Sequence, residues 1–303
     1  MIRKNTVFVL GAGASKDYGL PTGQELVDII AESVPSEGSD EENKVSSILG
    51  VATQALRNFA SRLRQSNASS IDSWLEKNPP FVSIGKAFIC QAIGSREDRS
   101  NLYKRDWYAT LWDKMTSETK KTEDLLENKV SFITFNYDRS LEAFLETSAA
   151  NLYPVIEGEC EEILREIHII HVYGQAGYLS WQSNDDEKLQ RSYYQHFTWA
   201  EAKNCSQAIK VLHEGQSATE EFEEAKKLLR AANTIYFFGF GYYPDNMVRL
   251  QTKTNAARII GSYRGVAIPK NIEDRKHNGF GNTITIHNQQ PLSAILRDIA
   301  PLI

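Results

Sequence analysis

Short apolar runs alternate with helical segments along this chain of 303 residues. An apolar run of four to eight residues between turn residues is typical of a buried strand, whereas apolar positions three and four apart indicate a helix. Strands that alternate with helices favour an α/β fold with a parallel sheet. The predicted strands are TVFVL near the N-terminus, KVSFITF before Asn136, EIHIIHVYG (about 166–173), ANTIYFFGFG (about 232–239), ARIIGSY (about 257–263) and NTITIHN (about 282–287).

The segment between the first two predicted strands has a helical pattern from Lys44 to about Glu127, after an acidic, turn-rich loop, PSEGSDEEN. No strand pattern interrupts this span. We therefore predict a Rossmann-like parallel sheet flanked by helices, formed by residues 1–34 and 128–303. Residues 35–127 are predicted to form an inserted helical module.

Polar residues follow the second strand directly, because Asn136, Tyr137 and Asp138 come after the buried run without an intervening Gly or Pro. Either Asn136 or Asp138 could cap the next helix, which leaves the other without a role. Three further strands also end in small or polar residues. The carboxyl ends of parallel strands share one edge of the sheet, and open parallel sheets bind ligands there. We expect the four segments to meet at that edge.

The first of these segments, Gly11 to Ser15, reads GAGAS. Its glycines allow close backbone approach to a phosphate, and the N-terminus of a following helix would favour an anion. Lys16 stands where a dinucleotide fingerprint has its third glycine, and no acidic strand end follows about 20 residues later. A phosphate-binding turn and a tight turn without a ligand both remain open, whereas a hydride-transfer oxidoreductase is disfavoured.

The third and fourth segments add further candidates. His168 and His171 should point to opposite faces of their strand, so they do not form a metal pair. His171 lies at the strand end, where a neutral imidazole could take a proton from a sugar hydroxyl. In GFGYYPDN, the backbone of Gly239 to Tyr242 could contact phosphate or ribose, while Asp245 and Asn246 are expected to cap a helix.

Composition narrows the function classes. The net charge of −5 gives no overall nucleic-acid footprint. The three cysteines lie far apart without a C-x-x-C pair, which argues against a zinc ribbon and favours buried thiols in a reducing cytoplasm. No apolar run approaches the roughly 18 residues of a membrane helix, so no membrane partner is expected.

Taken together, these segments resemble the sirtuin-like NAD-consuming domains, and more closely the prokaryotic antiviral-defence branch of that superfamily. GAGAS is similar to the family's G-A-G-x-S turn, TFNYD to its strand-end motif with the catalytic Asn, HVYG to its H-x-x-G motif, and FFGFGYYPDN to its late G-x-G turn. SIDSWL, which contains Asp72, and RIIGSYRGVAIPKNIED resemble further family segments. The resemblance runs from about residue 5 to the C-terminus and rests on the order and spacing of the motifs.

One departure from the family pattern concerns zinc. The protein-deacylase sirtuins carry two C-x-x-C pairs in a zinc module, and the helical insert stands in its place here. This difference argues against a peptide-binding cleft and deacylation. The resemblance then implies an NAD glycohydrolase, with NAD as substrate, no zinc and no further cofactor.

The resemblance also implies roles for individual residues. Asn136 would orient a water or hold a ribose hydroxyl, Asp138 would bind the carboxamide or ribose side, and His171 would act as general base. The turn after the first strand would hold the pyrophosphate. The implied NAD-contacting residues are Gly11, Ala12, Gly13, Ala14, Ser15, Tyr137, Gly239, Phe240 and Gly241.

The resemblance finally implies a cytoplasmic effector of an anti-phage defence system. Such a protein would form a homo-oligomer and be controlled by assembly or by a partner, for example a HerA-type DNA-translocating ATPase or a short Argonaute; we favour the HerA-type pairing. Direct nucleic-acid binding is not expected. The alternatives are a module that senses NAD or ADP-ribose without turnover and a sirtuin-type protein deacylase.

Overall fold

A computed structural model describes residues 1–104, 106–153, 159–182, 186–194, 196–211, 219–264, 280 and 282–302. Within these residues, six strands form one parallel sheet in the order β3-β2-β1-β4-β5-β6, which is the strand order of a Rossmann fold. The predicted α/β fold is therefore confirmed. The strands are β1 (Thr6–Leu10), β2 (Val130–Thr134), β3 (Ile169–His171), β4 (Thr234–Phe238), β5 (Arg258–Tyr263) and β6 (Thr285–Asn288).

Helices cover both faces of the sheet and fill the span between β1 and β2. The described helices are α1 (Gly23–Ser33), α2 (Asp40–Leu49), α3 (Thr53–Gln65), α4 (Ile71–Glu76), α5 (Val82–Gly94), α6 (Trp107–Thr116), α7 (Ser140–Leu152), α8 (Glu159–Arg165), α9 (Trp199–Cys205), α10 (Glu220–Ala231), α11 (Pro244–Leu250) and the short α12 (Leu292–Ala294). None of these helices has the length and apolar character needed to cross a membrane.

The central strands are buried on both sides, as their continuous apolar runs predict. Side chains alternate along β1, so that Val7 and Val9 join one apolar cluster while Phe8 and Leu10 join the other. Phe8 lies between the rings of Phe132 and Tyr236, with ring centroids 5.5 and 5.0 Å away. This packing fixes the register of β2, β1 and β4 and therefore the relative height of their ends.

The helices between β1 and β2 share both apolar clusters of the sheet. Side chains of α3, α4 and α5 belong to the cluster with Val7 and Val9, and those of α6 to the cluster with Phe8. A buried ion cluster adds a polar link. The Oε2 atom of Glu97 accepts a hydrogen bond from Arg139 Nη2 at 2.5 Å and another from Arg191 Nη1. The inserted helices are thus packed as part of the sheet's two layers, whereas the domain boundaries at 34/35 and 127/128 stay a prediction.

Candidate functional site

The carboxyl ends of β3, β2, β1 and β4 lie side by side, as their parallel pairing requires. Leu10 is paired with Thr134 and with Phe238, and Thr134 is paired with His171. The chain leaves β1 toward β2 on one side and continues from β4 to β5 on the other. The boundary between β1 and β4 is therefore the topological switch point, where open α/β sheets bind ligands.

A cavity of about 550 Å³ opens at this switch point. Residues of both glycine turns line it, together with Phe135 and Tyr173 beyond β2 and β3 and Ser262 to Arg264 at the end of β5. Apolar lining with a few polar groups is typical of sites for small organic ligands. Of the predicted NAD-contacting residues, Gly11, Ala12, Gly13, Gly239, Phe240 and Gly241 line the cavity.

The two glycine turns pack against each other. Gly13 N–H donates to the Gly239 carbonyl at 3.0 Å, and Gly11 N–H donates to the Phe238 carbonyl at 2.9 Å. A Cβ on Gly239 would lie 1.9 Å from the nitrogen of Ala14, and the φ of Gly239 is +57°. Contact between the turns therefore by itself requires these glycines, and their predicted approach to a phosphate stays a prediction.

Hydrogen bonds within the protein also occupy most of the first turn. The N–H groups of Gly11, Gly13, Ala14 and Ser15 all donate to protein carbonyls. The expected helix does not follow this turn directly, because two 3₁₀ turns intervene before α1 begins at Gly23. The Glu25 carboxylate accepts one hydrogen bond from the Lys16 ammonium and another from Thr22 N–H at 2.8 Å. These two bonds lower the pKa of Glu25 to about 2. The N-terminus of α1 is thus already occupied by an anion.

Asn136 is fixed beside the first turn. Its side-chain Nδ2 donates to the Gly11 carbonyl at 3.1 Å and to Ser15 Oγ at 3.0 Å. Its backbone N–H donates to Thr134 Oγ1 at 3.0 Å. The Oδ1 atom is buried and accepts no hydrogen bond from the described residues. Asn136 does not line the cavity itself but lies directly behind Gly11, which does.

Asp138 belongs to a buried network that stands apart from the cavity lining. Its Oδ1 accepts from Ser140 N–H at 3.0 Å and from the Ser140 hydroxyl, which lies 2.8 Å from Tyr108 Oη. Burial raises the pKa of this carboxyl above its ordinary value, and its hydrogen bonds from Ser140 oppose the shift. Asp138 therefore binds the N–H of the first residue of α7 from one position before the N-cap, which is Arg139. Its predicted contact with carboxamide or ribose stays a prediction.

His171 is held between two acceptors, with 8% of its side chain exposed. Its Nδ1 donates to the Asn136 carbonyl at 2.9 Å, and the Glu142 carboxylate lies 2.5 Å from Nε2. Burial lowers the pKa of the imidazole, but Glu142 and the Asn136 carbonyl outweigh it, so that the pKa is raised. These partners favour the imidazolium over the expected neutral imidazole. The ring lines a separate cleft of about 320 Å³ beside β3.

The remaining predicted residues divide between cavity and core. Tyr137 is buried, its carbonyl accepts from Ala176 N–H at 2.8 Å, and its hydroxyl has no partner among the described residues.

The expected caps of α11 are wrong, because its N-cap is Tyr243 and Pro244 occupies the first turn. Asn246 Oδ1 instead accepts a hydrogen bond from the Tyr173 hydroxyl. Of the segment RIIGSYRGVAIPKNIED, residues 265–274 lie outside the described residues.

Sequence reasoning assigned no role to several residues that line the cavity. Lys16, Asp72, Tyr173 and Arg264 all contribute to its wall. Lys16 pairs with Glu25, and Arg264 with Asp17 at 2.8 Å. Position after β3 or β5 could have indicated Tyr173 and Arg264, and the resemblance of SIDSWL to a family segment had singled out Asp72 without giving it a role. Among the described residues, no group of three or more His, Cys, Asp or Glu could hold a metal ion.

Comparison of the chain with protein-family models and with curated protein sequences found no match in either case.

Proposed function

We propose that this chain is an NAD glycohydrolase that binds NAD across the switch point and cleaves its nicotinamide–ribose bond. The observation that carries the proposal is the position of Asn136 behind a cavity at the β1/β4 boundary, where its Oδ1 accepts no hydrogen bond from any described residue. A buried polar atom without a hydrogen-bond partner calls for an explanation, and a functional role is one.

The cavity wall supports binding of a dinucleotide. Phe135, Tyr173 and Tyr263 provide rings of the kind that pack against a base or a nicotinamide, and Lys16 and Arg264 provide positive charge for a pyrophosphate. Four N–H groups of the first turn are already bonded, and Lys16 and Arg264 are paired with Glu25 and Asp17, so a pyrophosphate would share these two cations with their carboxylates.

The proposed reaction adds water to the ribose. The bond between ribose C1′ and nicotinamide N1 breaks, its electron pair stays on nicotinamide, and the ribose becomes oxocarbenium-like, as in glycoside hydrolysis. A water oxygen then bonds to C1′ and its proton leaves to solvent, which gives nicotinamide, ADP-ribose and a proton. Asn136 does not line the cavity, so its Oδ1 would accept a hydrogen bond from a water or ribose hydroxyl that reaches past Gly11, while Nδ2 stays bonded to Gly11 and Ser15.

The surroundings of His171 support a positioning role instead of the general-base role. A ring that donates from Nδ1 to a carbonyl and faces a carboxylate at Nε2 holds both protons and accepts no further one. The hydrogen bond from His171 Nδ1 to the Asn136 carbonyl fixes the backbone of the proposed catalytic residue. We therefore expect substitution of His171 to act on turnover through Asn136.

The test is incubation of the purified protein with NAD, following nicotinamide and ADP-ribose by chromatography. We expect equimolar products from the wild type and at least about 100-fold slower release from Asn136→Ala, within the range of losses seen when one polar catalytic group is removed. Asn43→Ala, at an exposed position of α2, is the matched control and should retain full activity. Wild-type rates from Asn136→Ala would contradict the assignment.

A second candidate function is a module that senses NAD or ADP-ribose without turnover. The engagement of both His171 nitrogens favours it, because no histidine among the described residues lines the cavity. Sensing would be supported over hydrolysis if the protein binds NAD but releases no nicotinamide. This result should hold for the protein alone and with a HerA-type ATPase and DNA.

Assembly and partner control stay predictions. The product assay is therefore run with the protein alone, over a range of protein concentrations, and with a HerA-type ATPase and DNA. A rate per chain that rises with concentration or with the ATPase would support control by assembly or by this partner. A persistent monomer with full activity would contradict it.

A further inference from the structure

Asp72 on α4 brings a carboxylate from the inserted helices to the wall of the cavity. Its Oδ2 accepts a hydrogen bond from Ser70 Oγ at 3.2 Å. Its Oδ1 is buried and accepts no hydrogen bond from the described residues. A buried carboxylate oxygen without a donor is costly, so a donor supplied by a ligand would explain it.

The polar groups around Asp72 are engaged elsewhere. Arg249 donates from Nη1 to Tyr173 Oη at 2.6 Å and from Nη2 to Glu76 at 3.1 Å. The Tyr173 hydroxyl donates to Asn246 Oδ1 at 2.7 Å. Arg249, whose charge acts on Asp72, is thus committed to Glu76 and Tyr173, and the Oδ1 of Asp72, which has no donor among the described residues, is left for a group in the cavity.

Asp72 belongs to the half of the cavity beside β2 and β3. Burial raises the pKa of Tyr173 above its ordinary range, and the nearby charge of Asp72 adds to the shift. The Tyr173 ring in turn packs against Phe135 with centroids 5.7 Å apart. Phe135 is the neighbour of Asn136 in the chain, whereas Ser262 to Arg264 line the half at the end of β5.

We propose that Asp72 contacts the ligand directly and accepts hydrogen bonds from the hydroxyl groups of a ribose bound in the half of the cavity beside β2 and β3. This inference rests on the proposed function, because it takes the ligand to be a dinucleotide with two riboses. An ionised carboxylate accepts from two neighbouring hydroxyls and repels a phosphate at the same place. The site is therefore specific for a ribose whose hydroxyls are free.

The test compares ligands that contain or lack the second ribose. Dissociation constants are measured by calorimetry for ADP-ribose and for ADP, using the wild type, Asp72→Asn and Asp245→Asn. Asp245 is exposed on α11 and does not line the cavity, so it provides the same chemical change outside the site. We expect Asp72→Asn to weaken ADP-ribose binding about 10- to 100-fold, as for loss of a charge-assisted hydrogen bond, and to leave ADP binding unchanged.

Other results separate the two proposals. Equal ADP-ribose affinity in the wild type and in Asp72→Asn would overturn the role of Asp72, as would an equal loss for ADP and ADP-ribose. Either result leaves the proposed function intact if the wild type still releases nicotinamide from NAD. A wild type that binds neither compound and releases no nicotinamide would overturn both proposals.

Discussion

Asn136 and Ser15 are 121 residues apart in the chain and are joined by a hydrogen bond of 3.0 Å from Nδ2 to Oγ. The bond connects the segment after β2 with the turn after β1. It also orients the amide so that Oδ1 is the side-chain atom of Asn136 without a partner among the described residues. The geometry of the proposed site therefore depends on a contact between two strand ends.

Ser15→Ala removes one of the two acceptors of the Asn136 amide. We expect nicotinamide release to fall about 5-fold, because one hydrogen bond contributes about 1 kcal/mol and a loosened amide is less often correctly oriented. The product assay with NAD measures the change. Ser61→Ala, at an exposed position of α3, is the control. Unchanged turnover in Ser15→Ala would show that this bond does not orient the amide of the proposed catalytic residue.

Gly239→Ala should destabilise the fold strongly. The added Cβ would lie 1.9 Å from Ala14 N, at a backbone φ of +57°. Gly38→Ala is a matched control, because Gly38 also has a positive φ, of +75°, but no atom within 4 Å of an added Cβ. We expect about 1 kcal/mol from strain at Gly38 and at least about 3 kcal/mol at Gly239, measured by urea unfolding. Equal losses would contradict the packing of the two turns.

His171 makes stability depend on pH. Its pKa in the folded protein is raised above 6.5, chiefly by Glu142 against the effect of burial, with Asp138 adding to the shift. The folded protein therefore keeps a proton that the unfolded chain has already released. The resulting stability is complete below about pH 6.5 and is lost as pH rises through the folded pKa.

Urea unfolding between pH 6 and 9 tests this dependence. The free energy of unfolding of the wild type should fall with pH over this range, and His171→Gln should remove that part of the slope. His168→Gln is the control, since His168 has 59% of its side chain exposed. Identical slopes in the wild type and in His171→Gln would contradict the ion pair with Glu142.

Burial of Asp72 favours its uncharged form, whereas the partners of His171 favour its charged form. Burial raises its pKa from 3.8 to about 6, with Glu76 adding to the shift and Ser70 and Arg249 opposing it. The folded protein then loses stability as pH rises from about 3.8 to 6, where the unfolded chain ionises more readily. Above pH 6, we expect the Asp72→Asn variant to be more stable than the wild type, because it carries no buried charge at this position. The gain in free energy of unfolding should be at most about 3 kcal/mol. A less stable Asp72→Asn at pH 7 would contradict this.

The strands and their shared edge could be predicted from the sequence. Runs such as TVFVL and KVSFITF are apolar on both faces, and only a sheet covered on both sides buries them. Parallel strands place their carboxyl ends together, so Gly11, Asn136, His171 and Gly239 were expected at one edge, where the structure has them. The length of β3 was overestimated, because only Ile169–His171 is paired.

Other features depend on contacts between distant segments, and only the tertiary structure decided them. Gly239 is required because the nitrogen of Ala14 fills the space of its missing side chain. His171 faces Glu142 because α7 packs beside the end of β3, and no local pattern contains that pairing. Asp72 reaches the cavity because α4 packs near the carboxyl ends of β2 and β3. The sequence by itself determined which strand ends meet, because hydrophobic burial follows the local pattern of apolar residues. The partners of individual side chains depend on how the helices pack, and that local pattern does not specify the positions of the helices.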